Sequence, residues 1–389
     1  MPPLRHQKRT IQMTAKSSAN FHLLTSTKID FEHFETRASL GKGPRHVVLQ
    51  LKDCLDAQIH QPDFEDDGAV GVLDKLLAKI IGRPQQWTLA RQVLARTGPN
   101  DIIYCCGEDA GLPLAILALL KKARPHLVMN VMCPERWRPR LLLKGLQLHR
   151  LVHTFTVNTA LKAETMRSML KLSEDRVLCL AEQTDKQFFY PAPGAIQKNR
   201  PLIASAGLEQ RDYVTLANAL QNLDLDVKVC AVSPNATSKT RCRVPERLPK
   251  NMEMRYFDWV ELRDLYRSAD IAVVSLIDNT YSAGLTVLME AMACCRPVVI
   301  TKTVGLATEM VNRGLVWGVE PDSPDQMKAT VEYILSHPEE ASARAEAAYQ
   351  YFLENHTSEC HIEQIVRLLQ RVANSVTVDL PVVAEAKPV

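Results

Sequence analysis

The stretch YSAGLTVLMEAMACCRPVVIT, residues 281–301, joins a loop with one glycine to an apolar helix and then to a β-branched run. Gly284 lets the backbone turn tightly, and Thr286 can cap the helix or donate a hydrogen bond. The free N–H groups near residues 283–287 then face outward with the helix dipole behind them, an arrangement that suits an anion such as a phosphate. Glu290, the lone carboxylate of the helix, follows on a face from which it can reach a hydroxyl of a nucleotide ribose. A surface glutamate on an amphipathic helix explains the same spacing, and spacing alone leaves both readings open.

A strand must feed such a loop and a sheet must hold the helix. Short apolar runs at 46–51, 101–106, 127–132, 154–159 and 177–181 are expected as buried parallel strands. Helical stretches at 111–124 and 160–172 lie between them, the second opened by an Asn158-Thr159 cap. Residues 188–201 carry three prolines and one glycine and mark a linker, its core at 191–201. The alternation then restarts with strands at 201–207, 226–233, 271–276 and 297–301, and with helices near 214–223 and 261–270. Two doubly wound α/β domains are therefore expected, at 41–190 and 202–375, facing each other across a cleft at their strand ends. Residues 1–40 and 376–389 are expected as flexible tails, the last stretch of the second domain (323–375) being helical.

The whole of this second half resembles the donor-binding domain of family 4 glycosyltransferases, which have the GT-B fold. The family pattern Tyr-Glu-Gly-Phe-Gly-Leu-x-x-x-Glu-Ala-Met-Ala-x-Gly-x-Pro-Val-Val fits without a gap. Tyr281, Glu290, Ala291-Met292-Ala293 and Pro297-Val298-Val299 are its matches. FDWVELRDLYRSADIAVV before the site and GLVWGVEPDSPDQMKATVEYILSHPE after it are similar to the family in order, and TDKQFFYP supplies Asp185 and Phe189 of an Asp-x-x-x-Phe signature. The likeness covers about 177–372 and is thin over the first 150 residues. The departures that bear on the chemistry are at three positions. Ser282 stands where the family has its first glutamate, Cys295 where it has glycine, and Leu208 where it has the arginine of a diphosphate-binding pair.

The resemblance implies a transferase that moves a sugar from a nucleotide-diphosphate donor to an acceptor, retaining and independent of metal or other cofactor. Arg211, in the place of the family's lysine, and Glu290 are the implied catalytic residues. Gly207, Ser282, Ala283, Gly284, Leu285, Thr286 and Glu290 are the implied donor-binding set. In such enzymes the leaving phosphate helps deprotonate the acceptor, while amides and a cation stabilise the charge developing on it. A glycan, a lipid or a small molecule is the expected acceptor. A catalytically impaired binding or scaffold protein of the same fold is one alternative, and a nucleotide-sugar epimerase is another.

The rest of the sequence bounds these readings. A net charge of +3, with 46% apolar and 23% charged residues, is that of a globular protein and argues against a nucleic-acid partner. None of the ten cysteines falls in a C-x-x-C pair, so a reduced, cytoplasmic protein is expected. The first 29 residues hold five Lys or Arg and no acid, a basic tail or a transit peptide. Trp137 lies among Arg136, Arg138, Arg140 and Lys144, so the segment 136–152 either covers the sheet or touches an anionic membrane surface peripherally. Trp259 is a candidate to stack on a base or to pack in the core. His126, His149 and His153 show no metal-ligand spacing.

Overall fold

The structure is a computed structural model that describes residues 19–65, 68, 70–134, 136–231, 242–279 and 283–378. In the first domain the strands are β1 (Asn20–Leu24), β2 (Gln58–His60), β3 (Asp101–Cys105), β4 (His126–Asn130), β5 (Val152–Val157) and β6 (Val177–Cys179). They form one parallel sheet in the order β2-β1-β3-β4-β5-β6. The helices are α1 (Phe31–Ser39), α2 (Val47–Leu55), α3 (Val72–Leu77), α4 (Pro84–Arg96), α5 (Glu108–Ala118), α6 (Trp137–Gly145) and α7 (Ala160–Leu170).

Two expectations fail here. Residues 1–40 are not all tail: β1 is hydrogen-bonded on both sides, and its Leu23 and Leu24 are fully buried. The run 46–51 is the start of α2 rather than a strand. The His46 side chain accepts from Val48 N at 3.2 Å and caps the helix, and Val48, Leu51 and Leu55 bury a single helical stripe. A β-branched run of this length fits either period, and packing chose the helical one.

The second domain contains β7 (Leu202–Ala206), the two-residue β8 (Arg211–Asp212), β9 (Asp226–Cys230), the two-residue β10 (Cys242–Arg243), β11 (Met252–Arg255), β12 (Ile271–Val274), β13 (Val298–Thr301) and β14 (Trp317–Val319). Its main sheet is parallel, in the order β11-β9-β7-β12-β13-β14. Helices α8 (Tyr213–Leu220), α9 (Trp259–Ser268), α10 (Leu285–Ala293), α11 (Leu306–Asn312), α12 (Pro324–Ser336) and α13 (Pro338–Asn355) cover it, and α14 (Ser358–Val378) follows. The strand order reverses between β7 and β12, and ligands of such sheets bind at the crevice beyond that point.

The domain boundaries also differ from expectation. Helix α14 returns to the first domain, where Ile362, Ile365, Leu369 and Val372 share a core with Leu23, Leu51 and Val128. The segment 191–201 is no loose tether, because Ile196 N donates to Ser268 Oγ at 3.1 Å and Lys198 Nζ donates to Ser268 O at 2.9 Å. Phe188 and Phe189 already belong to the core of the second domain. The chain thus crosses between domains twice, side by side. Thr184 N donates to His356 O at 3.1 Å, and Ser358 N donates to Thr184 O at 3.1 Å. Asp185 of the linker signature is held by Arg45, whose Nη2 donates to it at 2.6 Å and also to Glu359 at 2.9 Å.

Candidate active site

A cavity of about 540 Å³ lies between the domains at the β7/β12 switch point. Its second-domain wall brings together Gly207, Arg211, the start of α10 and Glu290. Of the expected donor-binding set, Gly207, Ala283, Gly284, Leu285, Thr286 and Glu290 line this cavity, as does Arg211, expected as catalytic, whereas Ser282 lies outside the described residues.

Gly284 is the N-cap of α10, with φ at +83° and no side-chain cap. A Cβ there would also lie 2.7 Å from Val274 Cγ1, so the turn needs glycine for its conformation and its space. Thr286 is therefore not the cap; it sits inside the first turn, exposed toward the cavity. The helix behind it is rigid. Every residue from Val287 to Ala293 is buried, and Leu288 and Met289 are fully so, each contributing roughly 1.5–3 kcal/mol.

Glu290 lies in this helix at 4% exposure, and Tyr266 Oη donates to its Oε2 at 3.0 Å. Oε1 takes no hydrogen bond among the described residues. Burial pushes the carboxyl up to about 7, against the pull of the Tyr266 hydrogen bond and the positive charge of Arg211. A diol donating to Oε1 would favour the charged form.

Arg211 is buried, and its side chain is anchored by backbone alone. Nε donates to Ala206 O at 2.8 Å and Nη1 to Glu209 O at 2.7 Å. Nη2 has no acceptor among the described residues, and the side chain lines the cavity. A cation fixed in this way beside a helix N-terminus is a ready clamp for a phosphate pair.

Trp259 stands in the cavity wall, half-buried, with its ring 6.3 Å from that of Phe189 in an edge-on contact. It serves packing and cavity at once. His149 and His153 bond locally, to Leu143 O at 2.7 Å and to Thr154 Oγ1 at 3.0 Å. Among the described residues no three His, Cys, Asp or Glu side chains converge on a metal-sized site.

Sequence reasoning missed the opposite wall. Met132, Asn158 and Glu182, beyond β4, β5 and β6, line the same cavity. Asn158 was expected only as part of a helix cap, and the capping bond is made by Thr159, which accepts from Lys162 N. Glu182 follows a short strand by three residues, and that position at a carboxyl end was the available signal. Burial raises its carboxyl above the ordinary range, against the Asn158 hydrogen bond and the charge of Lys162.

Residues 203–337 match the profile of the family Glycosyl transferases group 1. The second domain is a group 1 glycosyltransferase domain. Solved structures extend the likeness of fold to both domains. A glycosyltransferase from Rickettsia africae is 13% identical with a TM-score of 0.64, covering 93% of this chain and 100% of that one. Sucrose-phosphate synthase from Thermosynechococcus elongatus is 16% identical with a TM-score of 0.66, over 92% of this chain and 100% of that one. The Anabaena protein HepE, in complex with UDP and glucose, is 14% identical with a TM-score of 0.63, over 92% and 100%. No curated protein sequence matches at a significant level. The fold is GT-B, and the glycosyltransferase domain places Gly207, Arg211 and Glu290 on the wall that faces the first domain.

The segment 136–152 holds α6, which buries Pro139, Leu142 and Leu143 and exposes Trp137 and Leu141, with Leu146 exposed just after it. Arg138 stacks on the Trp137 ring at 5.2 Å. None of the described helices is long and apolar enough to cross a membrane. All ten cysteines are free thiols.

Proposed function

We propose that this chain transfers a sugar from a nucleotide-diphosphate donor, with retention and without a metal, to a glycan, lipid or small-molecule acceptor in the cytoplasm. The carrying observation is the convergence, in one cleft, of the α10 N-terminus, the backbone-anchored Arg211 and the half-satisfied carboxylate of Glu290. The diphosphate lies against the amides of the first turn of α10 and against Arg211 Nη2. The ribose hydroxyls donate to Glu290 Oε1. As the donor bond to the sugar breaks, negative charge grows on the leaving phosphate, where the amides and Arg211 are already aimed. That phosphate takes the acceptor proton on the same face, so the anomeric configuration is kept. The HepE complex with UDP and glucose supports the choice of donor class.

The first domain supplies the acceptor side of the cleft. Its exposed Trp137 and Leu141, with Arg136, Arg138, Arg140 and Lys144, are suited to an anionic lipid surface when the acceptor is lipid-linked.

Calorimetry with UDP-, GDP- and ADP-sugars tests the donor, and nucleotide release in the presence of an acceptor panel tests the transfer. Binding of none of these nucleotides would sink the proposal.

A further inference from the structure

The first-domain wall of the cleft carries a polar chain that the donor half does not use. Lys162 Nζ, on the first turn of α7, donates to Asn158 Oδ1 at 2.9 Å. Asn158 Nδ2 donates in turn to Glu182 Oε2 at 3.4 Å. The amide is thereby oriented, since its oxygen faces an ammonium and its nitrogen faces a carboxylate. Lys162 is 5% exposed and does not line the cavity, while Asn158 and Glu182 do.

Glu182 is held from behind as well. Its carbonyl bonds to His356 Nδ1 at 2.8 Å, at the place where the two crossings between the domains run side by side. Its Oε1 takes no hydrogen bond among the described residues. A half-buried carboxylate on a cavity-lining residue, with one oxygen tied and the other without a hydrogen bond among the described residues, is a hydrogen-bond acceptor in waiting. The wall opposite holds Arg211 and Glu290.

We propose that Glu182, oriented by Asn158 and Lys162, binds a hydroxyl of the acceptor, and that the acceptor group entering this cleft is a neutral sugar or polyol rather than a phosphorylated or carboxylated one. The proposal rests on the reading of the cleft as a sugar-transfer site. A carboxylate accepts from O–H donors and repels a phosphate brought to the same distance, and the Lys162 ammonium is buried behind Asn158 and does not line the cavity.

The test is ligand-observed NMR and calorimetry with methyl α-glucoside, mannose, galactose and glycerol, set against glucose 6-phosphate and glucuronate. Each is added with and without whichever of UDP, GDP or ADP binds. The expected result is binding of at least one neutral compound, weakened about tenfold by Glu182→Ala. Glu182→Gln, which keeps an oxygen acceptor, should lose less. Nucleotide affinity and Tm of both variants should stay at wild-type values, which separates loss of this subsite from loss of fold or of the donor site. Binding of the anionic compounds in preference to the neutral ones would overturn the proposal. So would the absence of any neutral ligand, or equal affinity in Glu182→Ala, even if the nucleotide binds normally.

Discussion

Gly207 and Arg211 are interlocked. A Cβ added at position 207 would lie 2.6 Å from Arg211 Cζ, and residue 207 holds φ at +101°, where side chains are strained. The backbone turn after β7 thus exists in the only form that leaves room for the guanidinium to reach Ala206 O and Glu209 O. Gly207→Ala should therefore act through its neighbour, expelling Arg211 from the cavity. Calorimetry should show a nucleoside diphosphate weakened about as much as in Arg211→Ala, by about 1.5–3 kcal/mol for a lost charged hydrogen bond. A nucleoside lacking the diphosphate should be nearly unaffected by either change. Equal loss for nucleoside and nucleoside diphosphate would mean that Arg211 does not contact the phosphates.

Glu290 should give nucleotide binding a pH dependence. Its carboxyl stands at about 7 because burial disfavours the charge, and ribose hydroxyls require the charged form as acceptor. Affinity should rise as pH goes from 6 to 8 and level off above that range. Glu290→Gln should bind about 1.5–3 kcal/mol more weakly at pH 8 and lose the slope. A flat wild-type profile would remove this carboxylate from the contact.

Tyr266 sets where that transition falls. Its hydroxyl is the donor to Glu290 Oε2 and holds the carboxyl below where burial alone would put it. Tyr266→Phe should move the midpoint of the binding profile upward and cost about 1–3 kcal/mol of stability, because a buried acceptor loses its partner. The same urea titration at pH 6 and pH 8 should show the larger loss at pH 8, where the carboxylate is charged.

Acid should weaken the first domain through a histidine pair. His22 Nδ1 and His60 Nε2 are 3.0 Å apart, and burial with the charges of His22 and Arg96 lowers His60 to about 4 from its ordinary 6.5. The folded state therefore binds fewer protons than the unfolded one, and the stability it retains above 6.5 is lost as pH falls from there toward 4. His60→Gln should flatten that part of a plot of urea midpoint against pH. An unchanged slope in the variant would assign the acid transition to other groups.

Activity should survive chelation. The proposed diphosphate cradle consists of backbone amides and a guanidinium, and among the described residues no metal-ligand cluster stands near it. Turnover with excess EDTA should match the untreated enzyme. Activity that vanishes and returns with Mn²⁺ or Mg²⁺ would contradict a metal-independent mechanism.

The sequence alone determined what depends on neighbours along the chain. The glycine before α10, the apolar run that buries the helix, the strand that follows and the alternation of a doubly wound domain are local patterns, and 281–301 carries them all. Spacing left Glu290 open between a surface and a cleft position; the resemblance singled it out, and the structure places it in the cavity wall. Only the tertiary structure decided the rest, since the forces involved act between residues far apart in sequence. That Arg211 is buried and clamped by the carbonyls of Ala206 and Glu209 could not be read from its place in the sequence, because β7 and β12 bring its loop against the cavity. Residues 46–51 became helix because their apolar stripe met the sheet and the returning α14, which joins the first domain although the sequence places it last. Glu182, Asn158 and Lys162 form a chain only because β5 and β6 are adjacent and end at the same edge. No spacing along the sequence encodes that adjacency; burial of the two sheets and their helices creates it.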